Sequence, residues 1–360
     1  MTTQVPLIYS FPGFEGVADA VADHIITAQN NTLYNTLDKA AIAGLKLAAA
    51  LRPSLLQMPS SASIHGHSRS NSGGLANGEG SRRTPKLKKR SELRFKIAIS
   101  GGSLIKILHQ GLLSRQAEVE WDRWDVYFAD ERMVPFDSPD SNYAQAKQMI
   151  FDLIEGDKKP NVYHIDELLI SDPQECADAY EKLLIDNFAK KDSVKLPMFN
   201  LLLLGCAPDG HIALLFPNHG EQLREDLAWC MPVSNAPLGP ENRITLSIPV
   251  ICHAQRVAFV VEGLTKAPIM RIIMERPEKG LPSSIVNEGA AGKVSWFVDD
   301  DALNDCYDIT KKKYNLMTFG DRPVSAILWE HVSSCCKFHS PVVARRAAWP
   351  WSMNQITYVT

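Results

Sequence analysis

The amino-acid sequence predicts an α/β fold, in which helices cover both faces of a mostly parallel sheet. Short apolar segments alternate with amphipathic stretches from about residue 93 to residue 316. The apolar run LLLL at 201–204 is typical of a central strand that is buried on both faces. With 360 residues, of which 45% are apolar, the chain can form one large domain of this kind or two small ones.

The first segment of the chain, to about residue 51, has a helical pattern. Side chains recur there at intervals of three and four residues and give one largely apolar stripe: Val17, Ala20, Val21, His24, Ile25 and Ala28. We therefore expect an amphipathic helix near the start of the chain.

A polar segment interrupts the pattern at residues 52–90. The stretch SSASIHGHSRSNSGGLANGEGS has almost no large apolar side chain, so burial cannot offset the entropy that is lost on ordering. The basic run RRTPKLKKR follows at 82–90. We predict a disordered insertion in a surface loop. A solvated tether is the simplest role for the basic run, and a contact with nucleic acid is the alternative.

Five apolar segments after the insertion are predicted strands: FKIAIS, WDVYFA, FNLLLLG, RVAFVVEG and KVSWFVD. Amphipathic segments such as DPQECADAYEKLLIDNFAK lie between them and predict helices. The last residues, 317–360, show no clear period, and we treat them as a C-terminal extension of unknown structure.

The bulk composition indicates a cytoplasmic protein without a metal centre, and the basic run leaves a nuclear location open as well. The seven cysteines are scattered, with no Cys/His spacing typical of zinc sites, so we expect reduced thiols. The start of the chain lacks a basic segment followed by an apolar core, so we expect no secretory signal. No apolar stretch approaches the ~20 residues that span a bilayer, so we expect no membrane partner. The net charge of −3 gives no sign of a surface built for nucleic acid.

The first candidate motif is FKIAISGGSLIKIL, in which a predicted strand runs into Gly101, Gly102 and Ser103 and then into a helix. The glycines permit a tight turn, and Ser103 can cap the helix. The free N–H groups and partial positive charge of a helix N-terminus form a natural phosphate site. Glycines at such turns also occur for purely steric reasons, so this motif alone leaves both interpretations open.

The second motif is FADER, in which Asp130, Glu131 and Arg132 follow an apolar strand at its carboxyl end. Open α/β sheets bind ligands at this edge, and three charges are costly to bury there unless they are paired or functional. A structural salt bridge is the competing interpretation. The pair Ser141-Asn142 then predicts a helix start, with Asn142 able to point back toward the same site.

The strongest motif is LLLLGCAPDGHIALLFP, in which Asp209, Gly210 and His211 follow the predicted central strand. Imidazole titrates near neutral pH, so His211 can take a proton from water, and Asp209 can orient the ring or the substrate. Two cations come later, Arg243 in NRITLS and Lys266 at a helix start in EGLTKA. A lysine there opposes the helix dipole unless an anion is bound. A structural His211 and a solvated Lys266 are the alternatives.

Together these motifs resemble the 6-phosphogluconolactonase family, and its fungal branch in particular. The elements ISGGS, FADER, the Ser-Asn pair, LGCAPDGH with LFP, NRITLS, EGLTKA and VSWFVDDDAL occur in that family's order between residues 7 and 316. The resemblance implies one domain at 1–316, interrupted at 52–90. It also implies a Rossmann-like fold shared with glucosamine-6-phosphate deaminases and ribose-5-phosphate isomerases. The sequence departs from the common pattern at Leu214, where many members have serine.

The resemblance implies hydrolysis of a phosphorylated sugar lactone, 6-phospho-D-glucono-1,5-lactone, to 6-phospho-D-gluconate in the oxidative pentose phosphate pathway. No cofactor or metal is implied. By position, His211 would be the general base, Arg132 an electrostatic contact to substrate, and Asp130 and Asp209 would shape the site. The implied phosphate-binding residues are Gly101, Gly102, Ser103, Arg243 and Lys266, and the residues implied to shape the pocket are Asn142 and Gly210.

Two alternatives to this activity follow from the same resemblance. Ring-opening deamination is disfavoured, because the turn after His211 reads LLFP where the deaminases carry an acidic residue. A catalytically weak paralogue that acts as an interaction protein, in tRNA handling or with a nuclear partner, is the alternative from another class. The oligomeric state is not predicted.

Overall fold

The computed structural model describes residues 6–34, 93–189, 195–217, 220–237, 239–307 and 309–314. Its strands are β1 (Leu7–Phe11), β2 (Phe95–Ile99), β3 (Trp124–Phe128), β4 (Asp130–Arg132), β5 (Asn161–Tyr163), β6 (Leu201–Leu204), β7 (Cys230–Val233), β8 (Arg243–Leu246), β9 (Val257–Val261), β10 (Val294–Asp299) and β11 (Lys311–Lys312). Its helices are α1 (Phe14–Leu33), α2 (Ser103–Leu113), α3 (Asn142–Met149), α4 (Pro173–Phe188), α5 (Gly220–Arg224), α6 (Ile248–His253), α7 (Ala267–Glu275) and α8 (Pro282–Gly289). No helix in this part of the chain has the length and apolar character needed to cross a membrane. The insertion predicted at 52–90 and the extension predicted at 317–360 lie outside the described residues.

The described residues form a main sheet of eight parallel strands in the order β11-β1-β10-β9-β6-β2-β3-β5. Strand β6, which is the LLLL segment, pairs with β9 on one side and with β2 on the other. All four of its leucines are 0% exposed. The predicted parallel sheet with a fully buried central strand is thus confirmed.

Two hydrophobic clusters cover the two faces of the main sheet. Leu201 and Leu203 belong to the cluster that contains the apolar faces of α1 and α2. Leu202 and Leu204 belong to the other cluster, with side chains of α4, α7 and α8. Because side chains alternate along a strand, a strand that is apolar at every position packs against helices on both faces.

The predicted N-terminal helix is α1. Five members of the predicted stripe are buried, and His24 is half-buried with its ring against Phe297: Val17, Ala20, Val21, Ile25 and Ala28. The helical pattern is confirmed over Phe14–Leu33. Its predicted continuation from residue 35 lies outside the described residues.

The sequence patterns miss three strands of the main sheet, β1, β5 and β11, and a second, antiparallel sheet in the order β4-β8-β7. Only Ile8 is buried in β1, so its apolar signal is weak. The three FADER charges follow the carboxyl end of β3, as predicted, and form a strand of their own, β4, which the sequence patterns do not predict. Charged residues have little intrinsic preference for strands, so β4 depends on its pairing with β8.

Candidate active site

Four loops at the carboxyl edge of the main sheet carry most of the residues singled out in the sequence. They follow β2, β3, β6 and β9, which are neighbours in the sheet in the order β9-β6-β2-β3. The carboxyl ends of parallel strands meet at one edge, which is where α/β proteins bind ligands. The topology therefore brings Gly101, Asp130, His211 and Lys266 to the same edge of the sheet.

Two glycines with different roles shape the loop after β2. Gly102 is the N-cap of α2 and has a φ of 74°, which residues with a side chain rarely adopt. Gly101 has no room for a side chain, because a Cβ atom there would overlap the Asn142 amide. The predicted Ser103 cap is wrong: Gly102 takes the cap position, and Ser103 is the first helical residue. The Ser103 hydroxyl hydrogen-bonds instead to Glu262 in the loop after β9.

Asp130 is buried within the site and is only 3% exposed. Its Oδ1 accepts a hydrogen bond from the Ser100 hydroxyl, and its Oδ2 accepts one from the Asn142 amide at 3.0 Å. Burial raises the pKa of Asp130, while the bond from Ser100, the charge of Arg132 and the bond from Asn142 lower it. Because each carboxylate oxygen accepts a hydrogen bond from a neighbouring side chain, Asp130 is placed to hold Ser100 and Asn142 in position.

Arg132 is anchored at one of its nitrogens. Its Nη1 donates to the backbone oxygen of Asp140 at 3.0 Å and to Oδ1 of Asn142 at 3.1 Å. Its Nε is buried and has no hydrogen-bond partner among the described residues. The two hydrogen bonds of Nη1 therefore fix the position of the guanidinium group within the site.

Glu131, the middle charge of FADER, stabilises the start of α3. Its Oε1 accepts the backbone N–H groups of Arg132 at 2.8 Å and Asn142 at 2.7 Å, and its Oε2 accepts that of Tyr143 at 2.7 Å. The three hydrogen bonds lower the pKa of Glu131, but burial has the larger effect and raises this pKa to about 7. Glu131 thus satisfies N–H groups that a helix leaves open, and it fixes the residue that contacts Asp130.

His211 and Asp209 form a hydrogen-bonded pair in the loop after β6. Nδ1 of the His211 ring lies 2.7 Å from Oδ1 of Asp209. A carboxylate only accepts hydrogen bonds, so Nδ1 carries the hydrogen and Nε2 keeps a free lone pair. Burial lowers the pKa of His211, the charges of Asp209 and Asp130 raise it, and that of Arg243 lowers it. The ring is therefore neutral at physiological pH and able to take up a proton.

A strained turn follows His211. Ala213 and Leu214 have φ values of 43° and 58°, in the region that favours glycine. The Leu215 N–H donates to the Ile212 carbonyl at 2.7 Å, which closes a two-residue turn between them. Two consecutive left-handed residues with side chains are costly, and such strain is common beside functional groups.

Phe216 connects this turn to the charged side chains of the site. Its ring lies against that of His211, with the centroids 4.6 Å apart. The Arg243 guanidinium lies 5.6 Å from the Phe216 centroid. Leu214 and Val233 pack in the same small apolar cluster as Phe216. The unusual Leu214 therefore supports the His211 ring through Phe216.

Arg243 lies beside Arg132, because the two residues are paired across β8 and β4. It is 3% exposed, and its Nε donates to the Pro240 carbonyl at 2.7 Å. Burial lowers the pKa of Arg243, as does the charge of Arg132, whereas Asp130 raises it. The structure thus places Arg243, predicted as a phosphate ligand, in the group with Arg132, Asp130 and His211.

Lys266 lies at the N-cap of α7, which confirms its predicted position at a helix start. Burial lowers the pKa of Lys266, and the charges of Asp209 and Glu262 raise it. Burial and the charge of Asp299 raise the pKa of Glu262, while its bond to Ser103 and the charge of Lys266 lower it. Glu262 therefore acts electrostatically on Lys266 and is hydrogen-bonded to Ser103 at the N-terminus of α2.

The two residues predicted to shape the pocket are both buried. Gly210 has a φ of 89°, and a Cβ atom there would lie 3.0 Å from Cδ1 of Ile269. Asn142 is 0% exposed, and both ends of its amide are bonded within the protein. Their contact with substrate stays a prediction, and the structure gives each a clear role in holding the loops.

Sequence reasoning missed three residues of the site: Ser100, Phe216 and Glu262. Ser100 is a polar residue that ends an apolar strand, which is a usable signal. Phe216 and Glu262 have none, because their roles depend on contacts between loops that are distant in sequence. In the part of the chain that the structure describes, no group of three or more His, Cys, Asp or Glu side chains is placed to hold a metal ion.

Comparison with known proteins gives a consistent picture. A family model described as glucosamine-6-phosphate isomerases/6-phosphogluconolactonase matches residues 82–296. The chain is 60% identical over 318 residues to 6-phosphogluconolactonase-like protein 1 of Saccharomyces cerevisiae, which covers 87% of this chain and 97% of that protein. It is 48% identical over 212 residues to a probable 6-phosphogluconolactonase of Schizosaccharomyces pombe. This alignment covers 58% of this chain and 82% of that protein.

Solved structures share the fold. A 6-phosphogluconolactonase from Trypanosoma brucei superimposes with a TM-score of 0.58 at 20% identity, covering 84% of this chain and 99% of that one. A monomeric glucosamine-6-phosphate deaminase superimposes with a TM-score of 0.51 at 15% identity. The superposition covers 83% of this chain and 99% of that one. At these identities the likeness is one of architecture, and the predicted Rossmann-like fold is confirmed.

Proposed function

The chain belongs to the family of glucosamine-6-phosphate isomerases and 6-phosphogluconolactonases, and from that premise we propose that it hydrolyses 6-phospho-D-glucono-1,5-lactone to 6-phospho-D-gluconate. This reaction is the second step of the oxidative pentose phosphate pathway. A lactone is an activated ester, so its hydrolysis requires a positioned water, a base and stabilisation of the oxyanion.

The observation that carries the proposal is the 2.7 Å hydrogen bond between His211 Nδ1 and Asp209 Oδ1. Asp209 selects the ring tautomer in which Nε2 is the base. In the proposed reaction, Nε2 takes a proton as water attacks the lactone carbonyl carbon. The bond between that carbon and the ring oxygen then breaks, and the imidazolium returns the proton to the departing ring oxygen. Base catalysis of this type contributes ~10²–10⁴-fold.

Arg132 and Arg243 are proposed to stabilise the negative charge that develops on the carbonyl oxygen. Both lie on the paired strands β4 and β8, and the charge of Arg243 acts on the His211 ring. Arg132 has an unpartnered buried N–H within the described residues. Fixed cations in a dry site stabilise an oxyanion more than water does.

The phosphate is proposed to bind at the N-terminus of α2 together with Lys266. Gly102 and Ser103 are exposed there, and the helix presents free N–H groups and the positive end of its dipole. The charge of Glu262, which is hydrogen-bonded to Ser103 at this end of α2, acts on Lys266. Binding energy gained at the phosphate would orient the lactone carbon against His211.

A second candidate is an interaction protein on the same scaffold with weak catalysis. The observation that favours it is the higher identity to a relative named 6-phosphogluconolactonase-like, 60%, than to one named a probable 6-phosphogluconolactonase, 48%. The partner would be an RNA or a nuclear protein bound through the basic run at 82–90. Deleting residues 52–90 separates the two roles, because a pure enzyme keeps its rate and a salt-sensitive RNA complex is lost.

The lactonase proposal is tested by the rate at which the purified chain opens the lactone, after subtraction of spontaneous opening. Acceleration supports it. A rate equal to the spontaneous one rules out the lactonase proposal and favours the interaction protein.

A further inference from the structure

Three loops of the site meet at a buried triangle of Ser100, Asp130 and Asn142. Ser100 directly follows β2, Asp130 begins β4 and Asn142 begins α3. The Ser100 hydroxyl donates to Oδ1 of Asp130, and Asn142 Nδ2 donates to Oδ2 at 3.0 Å and to the Asp130 backbone oxygen at 2.9 Å. All three residues are buried. Each carboxylate oxygen of Asp130 therefore accepts a hydrogen bond from a protein side chain and not from water.

Asn142 extends the triangle to Arg132. Its Oδ1 accepts from Arg132 Nη1 at 3.1 Å, while its Nδ2 is used by Asp130. The amide orientation is thereby fixed, because the two ends of the amide meet groups of opposite hydrogen-bonding character. Gly101 closes against the same amide, with no room for a Cβ atom. The triangle thus sets the positions of both the glycine loop and the Arg132 guanidinium.

The charge of Asp130 depends on these donors. The Ser100 hydroxyl, the Asn142 amide and the charges of Arg132 and His211 lower the pKa of Asp130. The charge of Asp130 in turn raises the pKa values of Arg243, Glu131 and Tyr180. A buried carboxylate without donors takes up a proton, and the two hydrogen bonds and the Arg132 charge oppose this. Ionised Asp130 in turn supports the basicity of His211.

We propose that Ser100 and Asn142 are positioning residues of the hydrolysis, which hold Asp130 ionised and fixed so that it orients Arg132 and supports proton uptake by His211. The expected effect on kcat rests on the proposed lactone hydrolysis. The expected effect on the protonation of Asp130 rests only on the hydrogen bonds of the triangle. Asp130 itself transfers no proton.

The test compares Ser100→Ala with Ser247→Ala. Ser247 is also buried, and its hydroxyl donates to the Ala228 carbonyl at 2.6 Å and makes no bond to Asp130. Both variants lose one buried hydroxyl at a similar cost in stability, so folding effects are matched. The first readout is the pH dependence of kcat and KM. The second is the titration of Asp130, followed by NMR on protein labelled at the aspartate carboxyl carbons and assigned with Asp130→Asn.

In Ser100→Ala we expect the titration of Asp130 to move up by about one pH unit or more, which corresponds to a roughly tenfold change in its protonation equilibrium. Protonated Asp130 no longer holds Arg132 in place, so kcat should fall at pH values below the raised Asp130 titration, while any change in KM that comes from the adjoining glycine loop should be the same at all pH values. Ser247→Ala should leave both titrations in place. An unchanged Asp130 titration in Ser100→Ala overturns the proposal, and so do kcat and KM that change in parallel at all pH values. If the wild-type chain lacks lactonase activity but the Asp130 titration still moves, the proposed function fails and the electrostatic role of Ser100 stands.

Discussion

The side-chain oxygen of Asn142 occupies the space that a Cβ atom on residue 101 would need. Asn142 cannot withdraw, because its amide is bonded to Asp130 and Arg132. Gly101→Ala must therefore displace either the phosphate loop or the amide. Since a displacement of this size near reacting groups costs ~10²-fold in rate, we expect kcat/KM for the lactone to fall by about that factor.

The matched control for Gly101→Ala is Gly205→Ala. Gly205 ends the neighbouring strand β6, and a Cβ atom there meets nothing within 4 Å. We expect this variant to keep kcat/KM within about threefold of wild type. Equal losses in the two variants would show that the Gly101–Asn142 contact has no special importance.

The acid limb of the reaction should lie below the ordinary imidazole pKa of about 6.5. Burial lowers the pKa of His211, and the ring acts as a base only when it is neutral. The rate therefore falls as pH drops through this lowered value and stays high above it. Asp209→Asn removes a charge that raises the pKa of His211 and replaces an acceptor-only carboxylate by an amide that can also donate. The ring tautomer is then no longer fixed, and kcat should fall by roughly 10² or more. A pH–rate profile of kcat for both proteins decides this, and an acid limb above 6.5 in wild type would contradict it.

Lys266→Ala should act mainly on binding. If Lys266 contacts the phosphate, its loss should raise KM by roughly tenfold or more and change kcat by a smaller factor. Lys147→Ala is the control, because Lys147 is an exposed lysine paired with Asp152 at 2.7 Å. Steady-state kinetics measure both. A drop in kcat at constant KM would place Lys266 at the reacting carbon instead.

Glu131 should make the stability of the fold depend on pH. Its pKa is about 7 in the folded chain, above the ordinary value for glutamate, so the folded state binds the proton more tightly. This contribution is fully present below about pH 4 and is lost as pH rises through 7. The free energy of unfolding of wild type relative to Glu131→Gln should therefore fall by on the order of 3 kcal/mol between about pH 4 and pH 8.

The control for this trend is Glu225→Gln. Glu225 is half-buried, and backbone hydrogen bonds from Ala228 and Leu227 lower its pKa, so its contribution changes only at more acidic pH. Denaturant unfolding at several pH values measures both variants. If the free energy of unfolding of wild type relative to Glu131→Gln stays constant or grows as pH rises, the raised pKa of Glu131 is refuted.

The turn after His211 should tolerate, and gain from, a glycine. Ala213 is buried with a φ of 43°, so Ala213→Gly relieves strain and removes only a methyl group. We expect the free energy of unfolding to rise by about 0.5–1 kcal/mol. Ala177→Gly, at a buried position within α4, should lower it by about 1 kcal/mol or more. Denaturant unfolding compares the two, and a loss of stability in Ala213→Gly would argue against a strained turn.

The apolar patterns of the sequence predict five of the eight strands of the main sheet, because β2, β3, β6, β9 and β10 are mostly buried and mainly apolar. The patterns miss β1, β5 and β11, whose residues are mostly not buried. The small antiparallel sheet could not be predicted in this way. Its strand β4 is made of three charged residues and exists only because β8 pairs with it. Local propensity contains no information on such a partner.

The candidate site was predictable to the extent that its residues follow strand ends. Asp130, His211 and Lys266 were all located by that rule. The spacing left open whether Asp209 orients the His211 ring or the substrate, and the structure shows the hydrogen bond to the ring. The roles of Glu131 and Asn142 were not predictable, since a helix cap and a buried amide can only be recognised from the hydrogen bonds they make. The same holds for Phe216, whose ring contacts join residues from separate loops.

The most direct test of the central claim is the initial rate of 6-phosphoglucono-1,5-lactone hydrolysis by wild type and His211→Ala, each corrected for spontaneous opening. We predict that wild type exceeds the spontaneous rate and that His211→Ala loses ~10²–10⁴-fold in kcat while retaining its melting temperature. A wild-type rate equal to the spontaneous one, or an undiminished rate in His211→Ala, would contradict the account.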